Sequence, residues 1–262
     1  VAALVFDRFA PASGRVRAPC LGLGRWVARL DAHRQALSRK RVAALDTPGS
    51  AQALTPVTAS DTPFFLFLTL VAAELKLLLK GRPLVWYAGA VGLFLACLFS
   101  PPETVRGLLP WVWLWPLLLW SGLGVRATHY RVDRLLASAP SPLWRQLPAT
   151  WTAGVLLALL LGSGALIRLW AEPALLPGFA AGALFIPSLS LLLGLTTGNE
   201  RPAQVLLLIW WYLGPLNGLT PLDLTGVTDT ALVQGIPWFY LAAGPLLFGL
   251  ALLVRWHQLR AA

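Results

Sequence analysis

Six apolar runs occupy most of this chain beyond residue 83: roughly residues 84–99, 107–125, 149–169, 174–197, 203–219 and 237–254. Crossing a bilayer takes about 20 apolar helical residues, with some latitude for tilt. Each run reaches far enough once tilt and kinks are allowed. None holds Asp, Glu, Lys or Arg at mid-depth, and Arg168, near the end of its run, can snorkel to the surface. Pro116, Pro187, Pro215 and Pro245 interrupt the runs, which membrane helices tolerate where neighbours satisfy the freed carbonyls. Composition agrees: 12% of residues are charged, about half the share of a soluble domain. The fold class expected is an all-α integral membrane protein with six transmembrane helices.

The rest of the chain divides at residue 62. Gly24 to Leu45 reads as a basic amphipathic helix, with Trp26, Leu30, Leu37 and Leu45 roughly on one side. A Pro-, Ser- and Thr-rich linker follows. Residues 1–62 are thus a polar N-terminal segment and linker, and 63–262 form the membrane domain. Phe64 to Ala73 is apolar but too short to cross, and Glu74, Lys76 and Lys80 follow it. This stretch is expected to lie in the membrane interface as an amphipathic helix. The chain opens VAALVFDRFAP, without the basic start or small-residue cleavage site of a signal peptide. That opening reads either as the tail of an earlier span or as a ragged start.

Charge orients the spans. The net charge is +10. In a chain this apolar, basic residues on cytoplasmic loops account for it better than nucleic acid does, and no nucleic-acid partner is expected. With the first span entering from the cytoplasm, Lys76, Lys80, Arg82, Arg126, Arg131, Arg134, Arg145, Arg201, Arg255 and Arg260 fall inside. Only Arg106 and Arg168 fall outside. That bias of ten to two places both termini in the cytoplasm. Trp86, Tyr87, Trp151 and Trp256 then read as inner interface anchors, and Trp111, Trp113, Trp170, Trp238 and Tyr240 as outer ones.

Little in the sequence carries chemistry. No catalytic, cofactor-binding or metal-binding residue is assigned. Cys20 and Cys97 lie in different surroundings, and His33, His129 and His257 are scattered through polar segments. None of the three lysines ends a phosphate-binding loop, so ATP is not bound here through one. Ser163, within Gly162 to Gly164, and His257 are the residues an intramembrane hydrolase would use. They belong to opposite ends of their spans, and small residues at a helix contact explain the glycines better. The segment Trp211 to Tyr240 holds Asp223, Asp229 and the turn signals Pro215, Asn217-Gly218 and Pro221. It reads as a solvated cap outside the membrane.

The wording of several stretches then becomes informative. ELKLLLKGRPLVWY, LWPLLLWSGLGVRATHYRVDRLLASAPSPLWRQLPATWTAG, FIPSLSLLLG and WWYLGPLNGLTPLDLTG follow an interfacial helix, six spans, a long basic first inner loop and a structured outer segment. Over about residues 63–255 this resembles the membrane subunit of bacterial type-2 ATP-binding-cassette exporters. The resemblance implies an inner-membrane permease that moves its substrate with ATP hydrolysed by a separate nucleotide-binding subunit, which would hold the ATP and Mg. Phe64 to Lys80 would be the connecting helix. Arg126, His129, Arg131, Asp133, Arg134, Leu135 and Leu136 would belong to a coupling loop that docks on that subunit. Pro215, Asn217, Asp223 and Asp229 would belong to the cap over the exit path. A second transmembrane half would be needed, from another copy or from an N-terminal half of a longer chain. An intramembrane enzyme and a non-transporting scaffold or sensor are the alternatives.

Overall fold

The computed structural model describes residues 63–126 and 142–261, and every element among them is helical. Among the described residues, 63–82, 86–126 and 142–261 belong to one compact unit. The elements are α1 (Pro63–Leu79), α2 (Leu84–Phe99), α3 (Pro102–Leu114), α4 (Leu117–Trp120), α5 (Pro142–Leu169), α6 (Leu176–Thr197), α7 (Arg201–Trp211), α8 (Asp229–Val233) and α9 (Ile236–Ala261). A single 3-10 turn, Pro173–Leu175, leads into α6. A π turn, Tyr212–Leu216, extends α7, and another 3-10 turn spans Thr220–Leu222.

Three stretches are long and apolar enough to cross a membrane: Leu143–Leu169, Pro173–Thr197 and Ile236–Arg260. The first is longer than the expected run, because the helix begins at Pro142, whose fixed φ suits a first turn. Leu84–Phe99 is a shorter apolar helix. Two expected spans are not single straight helices. The run 107–125 breaks at Pro116, which has φ −86° and ψ 6° and separates α3 from α4. Proline offers no N–H to continue the ladder, and its ring crowds the carbonyl four residues back. Beyond α4 the chain turns through residues 121–125. The run 203–219 ends in the π turn, which contains Pro215.

Helix α6 lies at the centre and is buried on all sides, from Gly178 and Phe179 through Phe185 to Ser190 and Leu191. An all-round apolar helix is the sequence form such a position requires. Its neighbours approach closely. A side chain at Gly124 would strike the backbone of Leu191, Gly194 and Leu195, and one at Gly194 would strike Gly124. Helix α6 ends at Gly198, whose φ of 64° places it in the left-handed region, with its N–H on the Gly194 carbonyl at 2.9 Å. Gly162 abuts the Phe179 ring, and Gly164 abuts the Phe94 backbone. These are contacts that only small residues permit. Ser163 donates to the Leu160 carbonyl at 2.8 Å.

Charge sorts to the two ends of this bundle. Arg168 Nε donates to Leu98 O at 2.5 Å, and Tyr240 Oη to Pro221 O at 2.7 Å, at one end. Gln258 Nε2 donates to Leu195 O at 2.9 Å at the other. Helix direction then places Lys76, Lys80, Arg82, Arg126, Arg145, Arg201, Arg255 and Arg260 at the second end, with Glu74 and Glu200. The first end holds Arg106 and Arg168 with Glu103, Glu172, Asp223 and Asp229.

Candidate functional site

At the basic end, Arg126 Nη1 meets Glu74 Oε2 at 3.2 Å, joining α1 to the last residue described before position 142. The side chains are 26% and 12% exposed. Burial raises the Glu74 carboxyl above its ordinary value, while Arg126 and a hydrogen bond from Thr150 pull it back down. The pair lines a small polar cleft of about 60 Å³ with Gln146 and Thr150 of α5, Leu195 of α6 and Arg255 of α9. Arg126 therefore turns into the bundle. The other coupling-loop residues, His129, Arg131, Asp133, Arg134, Leu135 and Leu136, lie outside the described residues, as does Gly24 to Leu45.

The exposed side of helix α1 mixes Thr69 and Lys76 with large apolar residues. Phe64, Phe65, Leu66, Leu68 and Leu77 are exposed, while Val71 and Leu78 are buried.

At the opposite end the expected solvated cap is corrected for Asp223, which is fully buried. Its Oδ1 accepts from Thr225 Oγ1 at 3.0 Å and from the Val227 N–H at 3.1 Å. Its Oδ2 accepts from the Thr228 N–H at 2.7 Å and from Thr228 Oγ1 at 2.8 Å. Four donors replace water around this carboxylate, and that set of partners permits its burial. Asp229 is exposed and pairs with Arg106 at 2.7 Å, while Arg106 Nε also donates to Gly226 O at 3.3 Å. Asn217 is exposed and donates to Tyr212 O at 2.5 Å. The four cap residues do not converge on one ligand position.

Pro215 does reach a shared feature. A small cavity of about 30 Å³ lies between Pro110 and Trp113 of α3, Leu117 of α4, Ile186 of α6, Leu207 and Trp210 of α7, the Pro215 turn, and Leu224 with Thr225. Both helix interruptions, at Pro116 and at Tyr212–Leu216, border it. Its lining is mostly apolar and aromatic, with the Trp113 indole N–H buried there without a hydrogen-bond partner. The one hydroxyl, on Thr225, is committed to Asp223. Trp210 packs edge-on against Phe185 and Tyr240.

Trp113 and Tyr240, read in the sequence as interface anchors, are instead buried in the bundle at 4% and 3% exposure. Trp151 is half-buried, donates to Ser188 Oγ at 2.8 Å and stacks on Phe248. Trp111, Trp170, Trp238 and Trp256 do stay exposed. The functional reading of the sequence missed Glu74 as a buried partner, and it missed the cavity. The available signals were a lone carboxylate after an apolar run and three tryptophans, Trp113, Trp210 and Trp211, beside prolines.

No family model, no curated protein and no solved structure matches the chain.

Proposed function

We propose that this chain is one transmembrane half of a permease, driven by a separate ATPase. The observation that carries the reading is the pair of interrupted helices. Irregular backbone at membrane depth is tolerated where it is buried in protein or lines a cavity, and transporters use such breaks at their moving parts. The interruptions at Pro116 and Tyr212–Leu216 meet across one cavity. Six spans are then α2, α3 with α4, α5, α6, α7 with its π turn, and α9. Helix α1 lies along the inner leaflet as a connecting helix.

The charge division supports an orientation with the basic end in the cytoplasm and both termini inside, in a bacterial inner membrane. Residues His129, Arg131, Asp133, Arg134, Leu135 and Leu136 dock on a nucleotide-binding subunit, which holds ATP and Mg. Nucleotide turnover there biases the two paired halves between inward- and outward-facing states. The Glu74–Arg126 pair ties the start of that loop to α1, so a pull on the loop reaches the interface helix. The cargo passes between the halves and is lipophilic or amphiphilic.

The test is recovery of a partner. The full chain, with Arg131→Cys or Arg134→Cys for mild crosslinking, should capture a nucleotide-binding subunit whose ATPase rate depends on it. Recovery of no such subunit from the native host membrane defeats the permease reading.

A further inference from the structure

We infer that the polar cleft which Glu74 of α1 shares with the turn after α4 and with α5, α6 and α9 is a binding site for one phosphate-like oxyanion. Such a site is independent of the permease reading. Two guanidinium groups, on Arg126 and Arg255, line the cleft beside one carboxylate, on Glu74. With Glu74 ionised its walls therefore carry one excess positive charge. Each guanidinium has five N–H donors in a planar fork that matches the oxygens of an oxyanion. A guest shares those donors with the partners the arginines already have, among them Glu74 on Arg126 Nη1 at 3.2 Å. The Gln146 carboxamide and the Thr150 hydroxyl add neutral polar groups to the wall. A volume of about 60 Å³ holds roughly four water-sized groups, which suits the oxygens of one phosphate or sulfate and nothing much larger.

The walls are held in place by contacts of their own. Gly124 packs backbone to backbone on Leu191, Gly194 and Leu195, which fixes the turn that carries Arg126 against α6. Gln258, three residues beyond Arg255 on α9, donates to Leu195 O at 2.9 Å and fixes α9 against the same stretch. Donors positioned in this way lose little freedom when a guest arrives. The cleft is not sealed, since Glu74 and Arg126 stay 12% and 26% exposed. It lies at the basic end of the bundle, where the summed field draws anions in. Glu74 then sets the strength of binding. Its ionised carboxylate repels the guest and competes for Arg126, and its protonated form does neither. Among the described residues, the charged groups that line the cleft with it are Arg126 from the turn and Arg255 from α9, while α5 and α6 present Gln146, Thr150, Leu191 and Leu195. Burial raises the Glu74 carboxyl above 4.5, with Arg126 pulling it back. Binding therefore strengthens as pH falls through the folded value.

The experiment uses the full chain purified in detergent and freed of lipid. Calorimetric titration with sodium phosphate or sodium sulfate, at an ionic strength matched with sodium chloride, should show saturable binding of about one anion per chain. Arg255→Gln should weaken it about tenfold, the loss of one hydrogen bond between charged groups. Glu74→Gln should strengthen it by about the same factor, a sign opposite to that of damage to the fold. Arg260→Gln removes a basic residue outside the cleft and should leave binding unchanged. Sulfate keeps its charge over the range in which Glu74 titrates. Wild-type affinity for sulfate should therefore rise on acidification more than that of Glu74→Gln, a comparison that stands even if Arg255→Gln folds poorly. His257, two residues beyond Arg255, titrates in both proteins and cancels. A second arm adds phosphatidylglycerol and counts retained lipid by native mass spectrometry. Lipid retained by the wild type and lost in Arg255→Gln assigns the oxyanion to a lipid headgroup. Binding of free phosphate and sulfate without retained lipid assigns it to a soluble anion. No saturable binding in either arm, equal losses in Arg255→Gln and Arg260→Gln, or weaker binding in Glu74→Gln overturns the site.

Discussion

Glu74 shows how much one side chain depends on its surroundings. In sequence it is a lone carboxylate that follows a ten-residue run with Thr69 as its one polar member. In the fold it is 12% exposed and faces Arg126. Burial is the largest influence on its carboxyl and raises it above the ordinary 4.5. A raised acid pKa means that folding disfavours the ionised form. The penalty is present above the folded pKa, shrinks as pH falls through that value, and vanishes below 4.5, where both states are protonated. Glu74→Gln should therefore flatten the rise in thermal stability that the wild type shows on acidification toward pH 4.5. Arg126→Ala should steepen it and cost about 1–3 kcal/mol at neutral pH, less than a fully buried pair because Arg126 is partly exposed. A melting series across pH on the three proteins decides this, and identical pH slopes would refute it. Asp223 is a second case. Asparagine has nearly its shape but turns one acceptor oxygen into a donor amide. Asp223→Asn should lower stability by about 1–3 kcal/mol, since buried donors near it lose their acceptor. An unchanged melting temperature would show that the four hydrogen bonds are not needed.

At the scale of elements, glycine positions separate contact from tolerance. The chain after α4 crosses α6 so closely that Gly124 and Gly194 touch through their backbones. Backbone cannot move aside as a flexible side-chain tip can. Gly124→Ala and Gly194→Ala should each lower the melting temperature of the purified protein. Gly92→Ala in α2 and Gly249→Ala in α9 meet nothing within 4 Å and should not. Equal effects at all four positions would show that the crossing is looser than described. The same scale explains why the second and fifth apolar runs are not single straight helices. Apolarity and length were visible in the sequence, and so were Pro116 and Pro215. Whether a proline only kinks a membrane helix or ends it depends on what its neighbours offer the freed backbone groups. At Pro116 the chain turns and packs against α6, and at Pro215 it opens into a π turn.

Over the whole molecule, the division of charge makes an orientation testable. Eight of the ten described Lys and Arg residues lie at one end, and four of the six described Asp and Glu residues at the other. In the proposed orientation, single cysteines at Lys80, Arg201 or Arg260 should react with a membrane-impermeant maleimide only in inverted vesicles. A cysteine at Asp229 should react only in intact cells. The reverse pattern would invert the bundle and remove the basis for a cytoplasmic docking loop.

What the sequence determined by itself was the apolar helical character, the places where charge collects, and the need for small residues in the third apolar run. Those follow from hydropathy, chain length and the cost of ions in lipid, which are properties of a segment regardless of its partners. Tertiary structure alone decided that Asp223 is buried, that Trp113 and Tyr240 belong to the bundle, that Arg126 turns inward to Glu74, and that two helix breaks share one cavity. Each of these depends on which groups residues far apart in sequence bring within about 3–4 Å, the range of hydrogen bonds and packing contacts. A run of residues read alone does not contain that information.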